Sequence, residues 1–184
     1  MAAAVESFAA KGFHGTTTRD IASGAGMSPA ALYVHHRSKE ELLHQISRSG
    51  HDRTLELVQS AVATSDDPRE QLLAVVRAFV IHHAEGHTGA RIVNYELAAL
   101  SPEHLEEIAA IRRQIEQEMR DVVESGVAAG AFTTSDPHMT ALALLSLGID
   151  VARWYRDEGE WKPAQIADHY CELALRIVGD APGG

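Results

Sequence analysis

The chain has 184 residues, 45% of them hydrophobic, with 16 basic and 26 acidic side chains and a net charge of −10. That composition suffices for a buried core, but no stretch approaches the ~20 apolar residues of a membrane span, and the amino terminus lacks the basic-then-apolar pattern of a secretory signal. The single cysteine, Cys171, excludes an intrachain disulfide framework and suits a reducing cytoplasm.

Residues 2–11 predict a first helix, ended by Gly12. Thr17 or Thr18 then caps a short helix with Ile21 and Ala22 on one face. Gly26 supplies a residue tolerant of positive φ where the chain must reverse. Ser28 restarts the helix as N-cap, with Pro29 at the first position, where a missing amide hydrogen costs nothing. Two short helices around a glycine-bearing turn make a helix-turn-helix, whose second helix enters the DNA major groove.

Ser38-Lys39-Glu40-Glu41 reads as a capping box opening a long helix to about Thr64, with a bend expected near Gly50. Asp67-Pro68-Arg69-Glu70 repeats the device before Leu72, Val76, Phe79 and Val80. Gly86 and Gly89 break that helix, and a short one is expected over 91–100. Ser101-Pro102 opens the next, whose Leu105, Ile108, Ile111, Ile115, Met119 and Val122 recur at three- and four-residue steps up to Gly126 and Gly130. Asp136-Pro137 starts a strongly apolar helix closed by Gly159, and Pro163 opens the last. No useful β-alternation is present. The expectation is an all-α chain of about nine helices, with a three-helix headpiece over 1–48 and a larger helical body over 49–184.

The run from Phe8 to Leu43, FAAKGFHGTTTRDIASGAGMSPAALYVHHRSKEELL, resembles the TetR family of one-component bacterial transcriptional regulators. The resemblance rests on the phenylalanine and glycine before the first turn, the IA…AG…S core, the LY pair, the following histidine, and SKEEL. Two positions depart from the family pattern: Ala30 stands where glycine is frequent, and His36 where phenylalanine is usual. The chain begins within its first helix, without the short basic lead of many relatives, so either the natural start is expected upstream or the headpiece is slightly shortened. The segment WYRDEGEWKPAQIADHY is similar, less specifically, to the carboxy-terminal part of actinobacterial-type members that sense acyl-CoA or related lipid metabolites.

The resemblance implies a cytoplasmic, homodimeric DNA-binding regulator with a small-molecule effector, by family default a repressor, without cofactor or catalysis. It places Tyr33, His35 and Lys39 on the phosphate backbone, and their donors suit that role. Thr17, Thr18 and Ser28 can add hydroxyl or amide contacts while capping helices. Base reading falls to Pro29, Ala30, Ala31 and Val34, small apolar groups suited to thymine methyls. Arg19 and Arg37 are further candidates. Residues 1–48 carry five basic against four acidic side chains, whereas the remainder carries 11 against 22, an asymmetry fitting a DNA-facing headpiece on an acidic body.

An effector cavity is expected among Phe79, His83, Arg91, Tyr95, Ile115, Asp150, Arg153 and Trp154, with Arg91 or Arg153 as anchor and Asp150 able to pair with Arg153 three residues on. The two carboxy-terminal helices carry surplus apolar surface and are expected to form the dimer interface. A competing reading takes His82-His83-Ala84-Glu85-Gly86-His87 as part of a metal site in a helical metal-binding protein or enzyme, since His83 and His87 share the four-residue spacing of a metal half-site. That order is not HExxH, and no third ligand stands nearby in the sequence.

Overall fold

The computed structural model describes residues 1–179, the side chain of His35 excepted. Among these residues there are nine α-helices and no strand: α1 (Ala2–Gly15), α2 (Thr18–Gly24), α3 (Pro29–His35), α4 (Lys39–Val62), α5 (Pro68–Glu85), α6 (His87–Tyr95), α7 (Pro102–Ala128), α8 (Pro137–Trp154) and α9 (Pro163–Val178). A 3-10 turn, Leu97–Ala99, follows α6.

Helix starts follow the polar side chains that can satisfy orphan amides. Thr17, rather than Thr18, caps α2: its hydroxyl accepts from the Asp20 N–H at 3.2 Å, while the Asp20 carboxylate accepts from the Thr17 N–H at 2.8 Å. Gly26 has a φ of 66° in the turn before α3. Ser28 Oγ accepts from the Ala31 N–H, with Pro29 at the first turn. At α4 the box is half-closed. Ser38 Oγ accepts from the Glu41 N–H, but the Glu41 carboxylate takes the N–H of Arg37 instead of that of Ser38. Asp67 and Asp136 cap α5 and α8 through their carboxylates.

Three boundaries differ from the sequence expectation. Helical structure resumes after Gly12, which sits at φ 70° and ψ 168° inside α1. Gly50 lies within continuous α4, and a β-carbon there would stand 2.8 Å from Val93 Cγ2, so this glycine provides clearance for α6. Gly89 lies inside α6, and the expected helix over 91–100 is α6 followed by the 3-10 turn.

The chain divides into two compact units. One comprises Met1–Asp52 with Thr88–Ala110; the other comprises Arg53–His87 with Ile111 onward. The helix-turn-helix unit therefore takes in α6 and the start of α7 as well as α1 to α3. Its core joins Phe8, Phe13, Ile21, Leu32, Leu42, Leu43 and Ile46 to Ile92, Val93, Leu100 and Ile108. In the body unit, α5 packs against α8 and α9 around Leu72, Val75, Phe79, Val80, Met119, Val123, Leu144 and Val151. Ile111, at the same three- and four-residue spacing on α7, packs against that core.

Candidate nucleic-acid interface and effector region

The helix-turn-helix presents a distinct outer face. Val34 is 79% exposed and Tyr33 52% exposed on α3, beside exposed Pro29 and Ala30 and half-buried Ala31. Leu32 points the other way, into the headpiece core. A large aliphatic residue left this exposed contributes nothing to folding and is available to base methyl groups. Thr18 Oγ1 and Tyr33 Oη are 3.2 Å apart, so the ends of α2 and α3 bring two hydroxyls together on this face. One hydroxyl donates to the other, which leaves the pair one O–H to offer an anion.

The other expected contacts are spent differently. The hydroxyl of Thr17 donates to Asp20 Oδ2 at 2.6 Å and closes the α2 cap, and Ser28 Oγ is occupied by Ala31. The Lys11 ammonium, with Thr17, holds the Asp20 carboxyl far below the usual carboxylate range. Lys39 does not face outward. Its Nζ donates to the carbonyls of Phe13 at 2.6 Å and Thr16 at 2.8 Å and stands 4.2 Å from the centre of the Phe13 ring. Arg19 and Arg37 are exposed cations. The side chain of His35 lies outside the described residues. His36, in place of the family's phenylalanine, is half-buried.

Behind this face runs a polar framework that spacing in the sequence did not reveal. The Glu96 carboxylate accepts from the Phe13 N–H at 3.4 Å. Glu40 Oε1 accepts from the Ser101 N–H and lies 2.8 Å from His104 Nδ1. His104 stacks on His44 with ring centres 3.7 Å apart and planes within 3°, and His44 Nε2 is 3.0 Å from Glu107. The hydrogen bond to Glu40 raises the His104 pKa. Burial pushes the Glu40 carboxyl up, but the Ser101 N–H and the His104 ring outweigh it and leave the carboxyl below its ordinary value. The hydrogen-bond partners are 61 to 83 residues apart in sequence, beyond any local motif.

The expected effector residues fall in both compact units. Phe79, His83 and Ile115 are buried in the body core, where Phe79 and His83 are in contact with ring centres 4.3 Å apart. Arg91 and Tyr95 belong to the other compact unit, on α6. Asp150 and Arg153 do pair within α8, at 2.8 Å, but at an exposed site, and Trp154 is also exposed. Within the body, a small hollow open to solvent is lined by Val76, Phe79, Met119, Leu147, Gly148 and Tyr170, among others. Of the residues expected around an effector, only Phe79 borders it.

The histidine cluster does not form a metal centre. His83 Nδ1 is 2.8 Å from the Phe79 carbonyl, His87 Nδ1 is 3.0 Å from that of Ala84, and His82 Nε2 is 3.4 Å from Thr54 Oγ1. Among the described residues no three His, Cys, Asp or Glu side chains are grouped to hold a metal ion. Cys171 is buried with its Sγ 3.5 Å from the Leu73 carbonyl, and burial pushes its thiol pKa up, the reverse of an activated nucleophile.

A capped helix-turn-helix with an exposed, apolar-tipped second helix defines a DNA-binding regulator. Residues 1–46 match the family model for bacterial regulatory proteins of the tetR family, and 65–178 match that for the tetracyclin repressor-like C-terminal domain. The chain belongs to the TetR family of transcriptional regulators. It is 45% identical to a tetR-family regulatory protein from Rhodococcus RHA1 of known structure, with a TM-score of 0.94 over 98% of this chain and 95% of that one. It is 26% identical to AibR, solved in complex with isovaleryl coenzyme A and operator DNA, with a TM-score of 0.87 over 97% and 96% of the two chains. Among curated proteins, the transcriptional repressor KstR2 of Mycolicibacterium smegmatis is 26% identical over 96% of this chain and 87% of its own length.

Proposed function

We propose that the protein is a homodimeric repressor that leaves its operator when an acyl thioester of the coenzyme A class binds its body. The observation that carries the DNA-contact assignment is the outer face of α2 and α3, with the Thr18–Tyr33 hydroxyl pair beside exposed Val34. Thr18 and Tyr33 contact phosphate, together with the exposed Arg19 and Arg37 and with His35; Pro29, Ala30, Ala31 and Val34 meet base edges. Thr17 and Ser28 serve mainly as caps. Operator DNA places this activity in the bacterial cytoplasm.

The effector class is supported by AibR, whose structure holds isovaleryl coenzyme A, and repression by the likeness to the repressor KstR2. An anionic thioester needs a cation, and Arg91 and Arg153 remain the candidate anchors. The effector releases DNA only through tighter binding to the non-binding arrangement of the two headpieces. The dimer forms through α8 and α9, which expose Met139, Leu142, Leu147 and Ile177.

A duplex selected by the protein from random-sequence DNA gives the probe. Tyr33→Phe is expected to weaken its binding severalfold with the preferred sequence unchanged; unchanged affinity would remove Tyr33 from the interface. A thermal-shift panel of acyl-coenzyme A esters should then yield a stabilising ligand that also dissociates the duplex. Stabilisation by none of them, with release by an unrelated metabolite, would overturn the effector class. For the dimer, Leu142→Glu with Leu147→Glu is expected to give monomers by sedimentation, and a surviving dimer would exclude this interface. Leu145, 7% exposed and part of the body core, is unsuited to that test because a charge there disrupts folding.

A further inference from the structure

We propose that Lys39 is a positioning residue for operator binding, fixing the start of α2 from inside the headpiece, and is not itself a phosphate ligand. The proposal rests on the reading of α2 and α3 as the DNA face.

An ammonium group has three protons and no acceptor. In Lys39, two of the three go to the carbonyls of Phe13 and Thr16, and the charge stands 4.2 Å from the centre of the Phe13 ring. These acceptors are significant. The last carbonyls of a helix lack intrahelical partners and carry partial negative charge, so a cation at that end satisfies both needs. Phe13 and Thr16 bracket the end of α1. Gly12, at φ 70°, turns the chain there so that the Phe13 N–H points to Glu96, and the ring of Phe13 packs against Phe8 at 5.5 Å. Thr16 is only 1% exposed, and its hydroxyl lies within hydrogen-bonding distance of the Ser7 and Gly12 carbonyls.

Thr16 leads directly into Thr17, the cap of α2, and then Thr18, whose hydroxyl meets that of Tyr33. A single side chain from the first turn of α4 therefore sets where α2 begins, and through it where the Thr18–Tyr33 pair stands. A phosphate contact by Lys39 would require the ammonium to abandon two carbonyls and a ring face, all at the edge of the headpiece core.

The two roles differ in counterion release. Each phosphate neutralised contributes about 0.9 to the slope of log affinity against log salt concentration, whereas a residue acting through geometry contributes nothing to it. The experiment measures binding to the duplex selected by the wild-type protein, across a KCl series, for Lys39→Met, Phe13→Leu, the double variant and Tyr33→Phe. Lys39→Met is expected to weaken binding about tenfold with the slope unchanged. Phe13→Leu keeps both carbonyls and removes only the ring face, so it is expected to weaken binding less than Lys39→Met, and the double variant is expected to keep the wild-type slope. In parallel, the Lys39 ammonium proton signal of the wild-type protein should be visible by NMR in free protein and unmoved when DNA is added. A slope flattened by about one, or an ammonium signal that moves on adding DNA, would overturn the positioning role. Wild-type affinity in Tyr33→Phe would instead overturn the DNA-face reading and the proposal with it. The NMR arm needs no variant to fold.

Discussion

In the body, α5, α8 and α9 meet through side chains such as Leu72, Val75, Phe79, Val80, Leu144 and Val151, with polar pairs such as Arg77–Asp168 on the outside. In the headpiece unit the apolar core is smaller, and polar links join elements far apart in sequence: Lys39 to Phe13 and Thr16, Glu96 to Phe13, Glu40 to Ser101 and His104. A small domain buries a smaller fraction of its surface and gains less from apolar contact. Charge-assisted hydrogen bonds, roughly twice as strong as neutral ones, supply directional restraint instead. Directional restraint also suits a unit that must present hydroxyls at fixed positions, whereas close packing suffices for a scaffold.

The contrast predicts a hierarchy of mutational effects. The largest belongs to the body: Phe79→Ala removes a ring packed so tightly that a β-carbon on Gly148 would stand 2.5 Å from it. Loss of about 3–5 kcal/mol in denaturant unfolding is expected. A loss under about 1 kcal/mol would show that the body is not held by close packing in the way described.

A smaller effect is expected at the α2 cap. Thr17→Ala removes the acceptor for the Asp20 N–H and should cost about 1 kcal/mol, read as a lower melting temperature of the headpiece. A neutral outcome would mean that the Asp20–Lys11 pair, at 2.7 Å, secures α2 without the cap.

The smallest effect concerns pH. His104 has a raised folded pKa, so its contribution is complete below its ordinary value of 6.5 and is lost as pH rises through the folded value. Glu40 has a lowered one, so its contribution is complete above 4.5 and is lost as pH falls through the folded value. The pair is therefore strongest between these two limits. The melting-temperature difference between wild type and His104→Ala should be larger near pH 5.5 than at pH 8, and a difference that grows toward pH 8 would contradict the assignment.

The residue pattern alone specifies the helix-turn-helix, the caps at Ser28, Asp67 and Asp136, the positive φ of Gly26, and the apolar faces of α5 and α7 to α9. These follow from interactions within about four residues, where spacing and side-chain chemistry have one low-energy solution. It also brought out the Asp150–Arg153 pair for the same reason. Tertiary structure alone decided the rest. Nothing near Lys39 in the sequence records that its ammonium meets the carbonyls of Phe13 and Thr16. Nothing near Gly50 in the sequence records that Val93 lies against it. Residues 88–110 carry no local sign that Glu96, Ser101 and His104 meet α1 and α4. Each of these depends on partners 23 to 83 residues away, and no local pattern records which distant carbonyl or carboxylate a side chain meets once the chain has collapsed.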